Sequence, residues 1–252
     1  SDDAGGRKIA RNCPNSFSYG LENPADVFAV DIREGFEGSS FVINLFDELY
    51  EIRLHMAGLH NVYNAMAAAE CARLLGVSLA DAAAALETAH GAKGRVEPVP
   101  TDGDYSIFID YAVTPDAIEN VLTTLRGIAP KRLVMLFGAG GDRDRKKRPI
   151  MGKLSADIAD FVIVTSDNPR TEDPMSIIEE ILPGVRAGKA PYKVICDRPE
   201  AIRWAIDHHE PGDVILLCGK GHEDYQIIGH EKIHMDEREI VADYLAERAK
   251  RT

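Results

Sequence analysis

Apolar runs separated by helix-patterned stretches leave a chain few ways to fold, and from Arg95 onward this sequence is built from them. The runs 105–109, 133–137, 161–165, 193–196 and 214–218 are dominated by apolar side chains and lack strict apolar–polar alternation. A strand with one wet face alternates, whereas a strand covered on both faces does not. Between these runs, 114–126, 149–158, 174–185 and 199–208 carry helical patterns. Strands and helices in alternation predict an α/β unit: a Rossmann-like, mostly parallel sheet covered on both faces. A hairpin over 225–234 and a helix over 236–250 close the chain.

The first third has a different rhythm. Segments 27–31, 41–46 and 50–56 are β-rich and separated by a Gly-Ser turn and an acidic turn. Tyr50-Glu51-Ile52-Arg53-Leu54-His55-Met56 alternates as a half-exposed antiparallel strand does. Helices are expected over 61–75, ending before Gly76 as C-cap, and from a Ser78 cap to residue 89. Gly91-Ala92-Lys93-Gly94 reads as a linker, which divides the chain into domains 1–93 and 94–252.

Composition narrows the class. The chain has 252 residues and a formal charge of −12, which argues against nucleic acid as main partner. No apolar run approaches the roughly 20 residues of a membrane span. Ser1-Asp2-Asp3 is acidic, with no apolar stretch after it to make a signal peptide. Cys13, Cys71, Cys196 and Cys218 form no CxxC pair, which suits a reducing cytoplasm and no structural zinc. A cytoplasmic enzyme or binding protein is expected.

Polar residues concentrate in four loops, each following an expected strand: Asp110-Tyr111-Ala112-Val113-Thr114-Pro115, Gly138-Ala139-Gly140-Gly141-Asp142-Arg143, Ser166-Asp167-Asn168-Pro169-Arg170 and Gly219-Lys220-Gly221-His222-Glu223-Asp224. In an open parallel sheet such loops emerge along one edge, where ligands bind at the switch in strand order. Arg143 and Arg170 suit bidentate recognition of carboxylates. Glu223 and Asp167 offer negative charge to an ammonium group, and Asn168 serves either. Both charge signs in one crevice suit a zwitterion, that is, an amino acid.

Each element also has a plainer reading. The Gly-rich loop is not a dinucleotide fingerprint, since the third glycine of GxGxxG is missing, and alone it is a tight turn. Gly219-Lys220-Gly221 lacks phosphate-loop spacing. The basic run 143–148 is a solvated helix start unless the neighbouring loop recruits it, and Asp167-Asn168-Pro169 alone is a turn. His230 and His234 sit in the expected hairpin, so no metal site is assigned to them.

Taken in order, longer strings resemble the Mur ligase family, and within it the members that add meso-diaminopimelate. They are Gly140-Gly141-Asp142-Arg143-Asp144, Lys147-Arg148-Pro149, Thr165-Ser166-Asp167-Asn168-Pro169-Arg170-Thr171-Glu172-Asp173-Pro174 and Gly219-Lys220-Gly221-His222-Glu223-Asp224-Tyr225-Gln226. Gly58-Leu59-His60-Asn61-Val62-Tyr63-Asn64-Ala65, Gly94-Arg95-Val96-Glu97 and Asp236-Glu237-Arg238-Glu239 support them. The resemblance implies that the C-terminal domain follows the C-terminal remnant of a central ATPase domain. It places Asn61 near the adenine and Arg95 and Asp110 on the nucleotide. It gives the incoming diaminopimelate to Arg143, Asn168, Arg170, Gly219 and Glu223, with Asp167 and Pro169 in the same motif. The implied reaction uses ATP and Mg²⁺ to activate the carboxylate of UDP-N-acetylmuramoyl-L-Ala-D-Glu as an acyl phosphate, which the diaminopimelate amine attacks, in peptidoglycan synthesis.

Arg170 bears on the substrate, since lysine has no second carboxylate to pair with it. A buried arginine left unpaired costs about 1–3 kcal/mol or more, and such sites reject analogues lacking the partner group. Two departures from the family pattern stand out. Val113 replaces the histidine of Asp-Tyr-Ala-His-Thr-Pro. The chain also begins where the central domain would be half complete, without a GTNGKT-like phosphate loop, the magnesium-holding carbamylated lysine or the UDP-binding domain. No catalytic residue is therefore assigned, and the polypeptide alone is not expected to hydrolyse ATP. A non-catalytic amino-acid-binding module and a lysine-adding ligase are the alternative readings.

Overall fold

Alternation in the first third produces one compact unit and the buried runs of the remainder produce a second, Ser1–Gly91 and Ala92–Thr252. The computed structural model describes every residue except Phe36, Pro130 and Thr252.

The first unit opens with helix α1 (Ala4–Asn12) and strand β1 (Tyr19–Gly20). Strands β2 (Val27–Gly35), β3 (Gly38–Leu45) and β4 (Glu48–Leu54) follow as antiparallel neighbours, with β1 parallel to β2. Helices α2 (Leu59–Leu74) and α3 (Leu79–Thr88) come next. Along β3, every second residue is buried, so Phe41, Ile43 and Leu45 share one face and pack with Val62, Met66 and Ala69 of α2 and Ala83 of α3. The Ser78 hydroxyl accepts from the Asp81 amide at 3.1 Å and fixes the start of α3. Helix α1 escapes sequence reading because it buries no residue and carries two glycines.

The second unit contains β5 (Glu97–Val99), β6 (Tyr105–Asp110), α4 (Pro115–Ile128), β7 (Leu133–Phe137), α5 (Lys147–Ile158), β8 (Phe161–Val164) and α6 (Pro174–Ala187). It continues through β9 (Tyr192–Val194), α7 (Arg198–Asp207), β10 (Asp213–Cys218), the hairpin β11 (Tyr225–Ile228) and β12 (Glu231–His234), and α8 (Glu237–Ala249). The sheet runs β5-β6-β10-β7-β8-β9. All neighbours are parallel except β5, which is antiparallel to β6 at the edge. Strand β10, last to join, is inserted between β6 and β7 and is buried along its whole length. Its insertion reverses the strand order and sets the loops after β6, β10, β7 and β8 side by side.

One sheet face, carrying Ile107, Ile109, Leu136, Ile163, Ile215 and Leu217, packs on Ala201, Ile202, Ala205 and Ile206 of α7 and on Val241 and Tyr244 of α8. Each fully buried aliphatic side chain contributes about 1.5–3 kcal/mol. Three of the helices that follow strands are capped by side chains: Thr114 accepts from Ala117 at 3.3 Å, Asp173 from Ser176 at 2.8 Å and Asp197 from Glu200 at 2.8 Å. Helix α5 starts earlier than expected because Pro149 lies within its first turn, where no backbone donor is needed. Helix α6 meets α5 closely at Gly184, where a Cβ would lie 1.8 Å from the Pro149 carbonyl.

Candidate functional site

Backbone bonds tie the strand-end loops into one surface. The Gly219 amide donates to the Asp110 carbonyl at 2.9 Å, joining the loops after β10 and β6. The Gly141 amide donates to the Asn168 carbonyl at 2.9 Å, joining those after β7 and β8. Glycine is required at this seam, since a Cβ on Gly141 would lie 1.8 Å from the Pro169 carbonyl.

At the centre lies a buried polar triad. Asn168 Oδ1 accepts from Lys220 Nζ at 2.6 Å and from the Ile227 amide at 2.9 Å, which turns its Nδ2 toward Glu223 Oε2 at 2.8 Å. Lys220 also reaches Glu223 Oε2 at 3.2 Å. The other Glu223 oxygen meets the hydroxyls of Tyr111 and Tyr225 at 3.5 and 3.4 Å. Burial, helped by the Glu223 carboxylate, raises both phenols above their usual range. Asp167 Oδ1 accepts from the Asn168 amide at 2.6 Å, while Oδ2 is buried without a hydrogen-bond partner among the described residues. A Cβ on Gly219 would lie 2.6 Å from that oxygen. Gln226 Nε2 holds the Asp167 carbonyl at 2.6 Å.

Arg170 stands beside the triad in the left-handed region, at φ 53°, a conformation that costs a non-glycine residue about 1 kcal/mol or more and clusters at functional sites. Its Nη1 donates to the Gly141 carbonyl at 2.8 Å, and its backbone is held by Ile227 and Gly229 of the hairpin. Asp142, also left-handed at φ 54°, accepts from the Thr171 hydroxyl at 2.7 Å. Arg143 is exposed at the rim, bonded to the Asp142 carbonyl at 3.3 Å.

Two fully buried arginines brace these loops from below. Arg198 donates from Nε to Glu237 Oε1 at 2.8 Å, from Nη2 to the Cys218 carbonyl at 2.9 Å and from Nη1 to the Ser166 carbonyl at 3.3 Å. It therefore joins the roots of the loops after β8 and β10. Arg148 bonds Glu172 at 2.8 and 2.9 Å, Glu180 at 2.7 Å and the Gly140 carbonyl at 3.1 Å. The basic run 143–148 is thus mixed: 143–146 are exposed, and Arg148 is buried.

Arg148, more than any other group, holds Glu172 down at about 2, against an ordinary 4.5, and the Asp142 amide adds to it. The folded state takes up this proton less readily than the unfolded chain, so the stabilisation is full above about pH 5 and is lost as pH falls toward 2. Its upper bound is about 3 kcal/mol, reduced because the side chain is 21% exposed. Replacing Glu172→Gln should therefore cost about 2 kcal/mol in denaturant unfolding at pH 7 and close to nothing at pH 2. A gap of constant size across that range would disprove this origin.

Of the remaining expected residues, Asp110 and Arg95 lie on the β6 side of the site. Asp110 Oδ2 accepts from the Val96 amide at 2.9 Å, and Arg95 is exposed with its guanidinium 5.4 Å from the Tyr111 ring centre. Asn61 belongs to the first unit, where Nδ2 donates to the Ala57 carbonyl at 2.8 Å. At Val113 the contact is made by backbone: its carbonyl accepts from Lys147 Nζ at 2.7 Å. His234 pairs with Glu239 at 2.5 Å. Sequence reading gave no role to Arg148, Glu172, Arg198, Lys220, Tyr225 or Glu237. All but Arg198 lie in the strings that carry the resemblance, which gave them no role of their own.

Comparison with known proteins shows the family. The Mur ligase glutamate ligase domain matches residues 94–221, and the Mur ligase middle domain matches residues 1–72. A UDP-N-acetylmuramoyl-L-alanyl-D-glutamate–2,6-diaminopimelate ligase of Caldanaerobacter subterraneus subsp. tengcongensis is 48% identical over 233 residues, covering 92% of this chain and 48% of the relative. The ligase of the same name from Clostridioides difficile is 41% identical over 251 residues, covering 97% and 51%. A solved structure with that name superposes with a TM-score of 0.72 at 33% identity, covering 98% of this chain and 52% of that one. The chain spans about half the length of the curated relatives it matches.

Proposed function

Because the chain belongs to the Mur ligase family, we propose that its second unit is the amino-acid-binding part of an ATP-dependent ligase that adds meso-diaminopimelate to UDP-N-acetylmuramoyl-L-alanyl-D-glutamate. The observation that carries this reading is the placing of Arg170 beside the Asn168–Glu223 pair on adjoining loops. A guanidinium matches a carboxylate bidentately and a buried carboxylate matches an ammonium, so together they fit an amino-acid head group. Arg143 at the rim adds a second cation. Diaminopimelate has two such head groups, whereas lysine has one.

In this reading the dipeptide carboxylate is activated by phosphoryl transfer from ATP, and the bound amine displaces phosphate to form the amide. This chain's residues hold the nucleophile: Glu223 and Asn168 position an ammonium until it loses its proton, while Arg170 and Arg143 fix a carboxylate. Arg95 and Asp110, with Asn61 of the first unit, are assigned to the nucleotide, and exposed Arg95 leaves its charge available to a phosphate. In this reading domain 94–252 carries the amino-acid site together with Arg95 and Asp110, and domain 1–93 carries Asn61. Among the described residues, no group of three or more His, Cys, Asp or Glu is arranged to hold a metal ion, so Mg²⁺ is assigned no ligand here. A UDP-linked precursor is made in the cytoplasm, and no helix among the described residues is long and apolar enough to cross a membrane.

The test is an amide-shift titration of the labelled chain with meso-diaminopimelate and, separately, L-lysine. Saturable shifts with diaminopimelate at lower concentration than with lysine support the reading. An equal response to both would turn the assignment to a lysine-adding ligase. No response to either would reject the site.

A further inference from the structure

We propose that Lys220 sets the amino-acid specificity of this site: by cancelling the charge of Glu223 it removes one negative charge that would oppose Arg170, which favours a ligand with a second carboxylate. The inference rests on the amino-acid reading above and adds a residue to which that reading gives no role.

The Lys220 side chain is 0% exposed. An ammonium group has three donors and no acceptor, and two of them go to Asn168 Oδ1 at 2.6 Å and Glu223 Oε2 at 3.2 Å. Nζ also lies 5.6 Å from the centre of the Tyr225 ring. Three consequences follow. The Asn168 amide cannot flip, because its oxygen sits between Lys220 and the Ile227 amide. Glu223 Oε2 already has two donors, so a ligand ammonium is left with Oε1, which meets only the long phenol contacts. The Lys220–Glu223 pair is electrically neutral, so the charge left to draw in an amine is that of Asp167, whose Oδ2 has no hydrogen-bond partner among the described residues.

Arg170 is tied to the same asparagine, with Nη1 3.5 Å from the Asn168 carbonyl. The two cations thus bracket one residue. Asp167 and Arg198 act on Lys220 as well, by charge alone more strongly than Glu223 does, and Arg198 is itself paired with Glu237. Burial lowers the affinity of Lys220 for its proton, and Asp167 and Glu223 oppose that effect. Meso-diaminopimelate and lysine differ by one carboxylate. At an effective dielectric of about 20, one fixed unit charge in the same pocket changes affinity for that group by roughly tenfold or more.

Lys220→Gln keeps a hydrogen-bond donor and removes the charge. Calorimetric titration of the wild-type chain and the variant with meso-diaminopimelate and L-lysine, alongside thermal unfolding, separates the possibilities. The variant should lose at least about tenfold in diaminopimelate affinity while lysine affinity holds or rises, so the preference collapses. A role in folding alone would weaken both ligands together. A folded variant with the wild-type preference would overturn the role of Lys220 and leave the site intact. Binding of both ligands without preference in the wild-type chain would turn the assignment to a lysine-adding ligase and overturn this inference, whereas no binding of either would reject the amino-acid reading itself. Should the variant not fold, the wild-type Lys220 ammonium resonance should shift with diaminopimelate and not with lysine. An equal shift, or none, would overturn the proposal.

Discussion

Replacing Arg198→Ala is expected to destabilise the second unit by about 3–5 kcal/mol, a large share of the stability of an ordinary domain. Arg198 and Glu237 have side chains that are both 0% exposed and 2.8 Å apart. Removing the cation leaves the Glu237 carboxylate buried without compensation, and its Oε2 has no hydrogen-bond partner among the described residues even with Arg198 present. The carbonyls of Ser166 and Cys218 also lose a donor. The double variant Arg198→Met/Glu237→Leu removes both charges and should recover most of the loss. It should still bind ligand less well, because the loops after β8 and β10 lose their shared brace. Urea unfolding decides this: a loss below about 1 kcal/mol for Arg198→Ala would show that the pair is solvated.

Replacing Arg170→Ala should weaken meso-diaminopimelate binding by about tenfold to a hundredfold and change L-lysine binding by no more than about threefold. Among the described residues the Arg170 side chain gives hydrogen bonds to protein only through Nη1, while a guanidinium has five donors. The donors on its other nitrogens are therefore suited to a carboxylate. The backbone at φ 53° is held by the hairpin rather than by the side chain, so truncation leaves the loop path unchanged. Calorimetry on the variant reads both ligands. An equal loss for the two would mean that Arg170 shapes the loop and takes no part in selecting the ligand.

Much of this arrangement was legible in the sequence for a physical reason. Runs such as 133–137 and 214–218 are buried on both faces, so their composition alone marks them, and strands Leu133–Phe137 and Asp213–Cys218 appear where expected. The four polar loops then follow from strand direction. Strand Glu97–Val99 was missed because Pro98 lies within it, which suits only an edge strand. The buried cations were missed for a different reason. Arg198 lies 39 residues from Glu237 and Lys220 lies 52 from Asn168. Nothing local distinguishes a charged side chain that finds such a partner from one left in water. A family resemblance named the residues expected to face the ligand, but the groups holding them in place needed coordinates.

The most direct test of the strand-end site is the amide-shift titration of the wild-type chain with meso-diaminopimelate, read residue by residue. Saturable shifts are expected at Asn168, Arg170, Gly219 and Glu223 and at neighbouring Gly140 and Gly141, with the sheet edge at β9 unmoved and L-lysine producing weaker shifts. Shifts elsewhere with these six silent, or equal shifts with lysine, would contradict it.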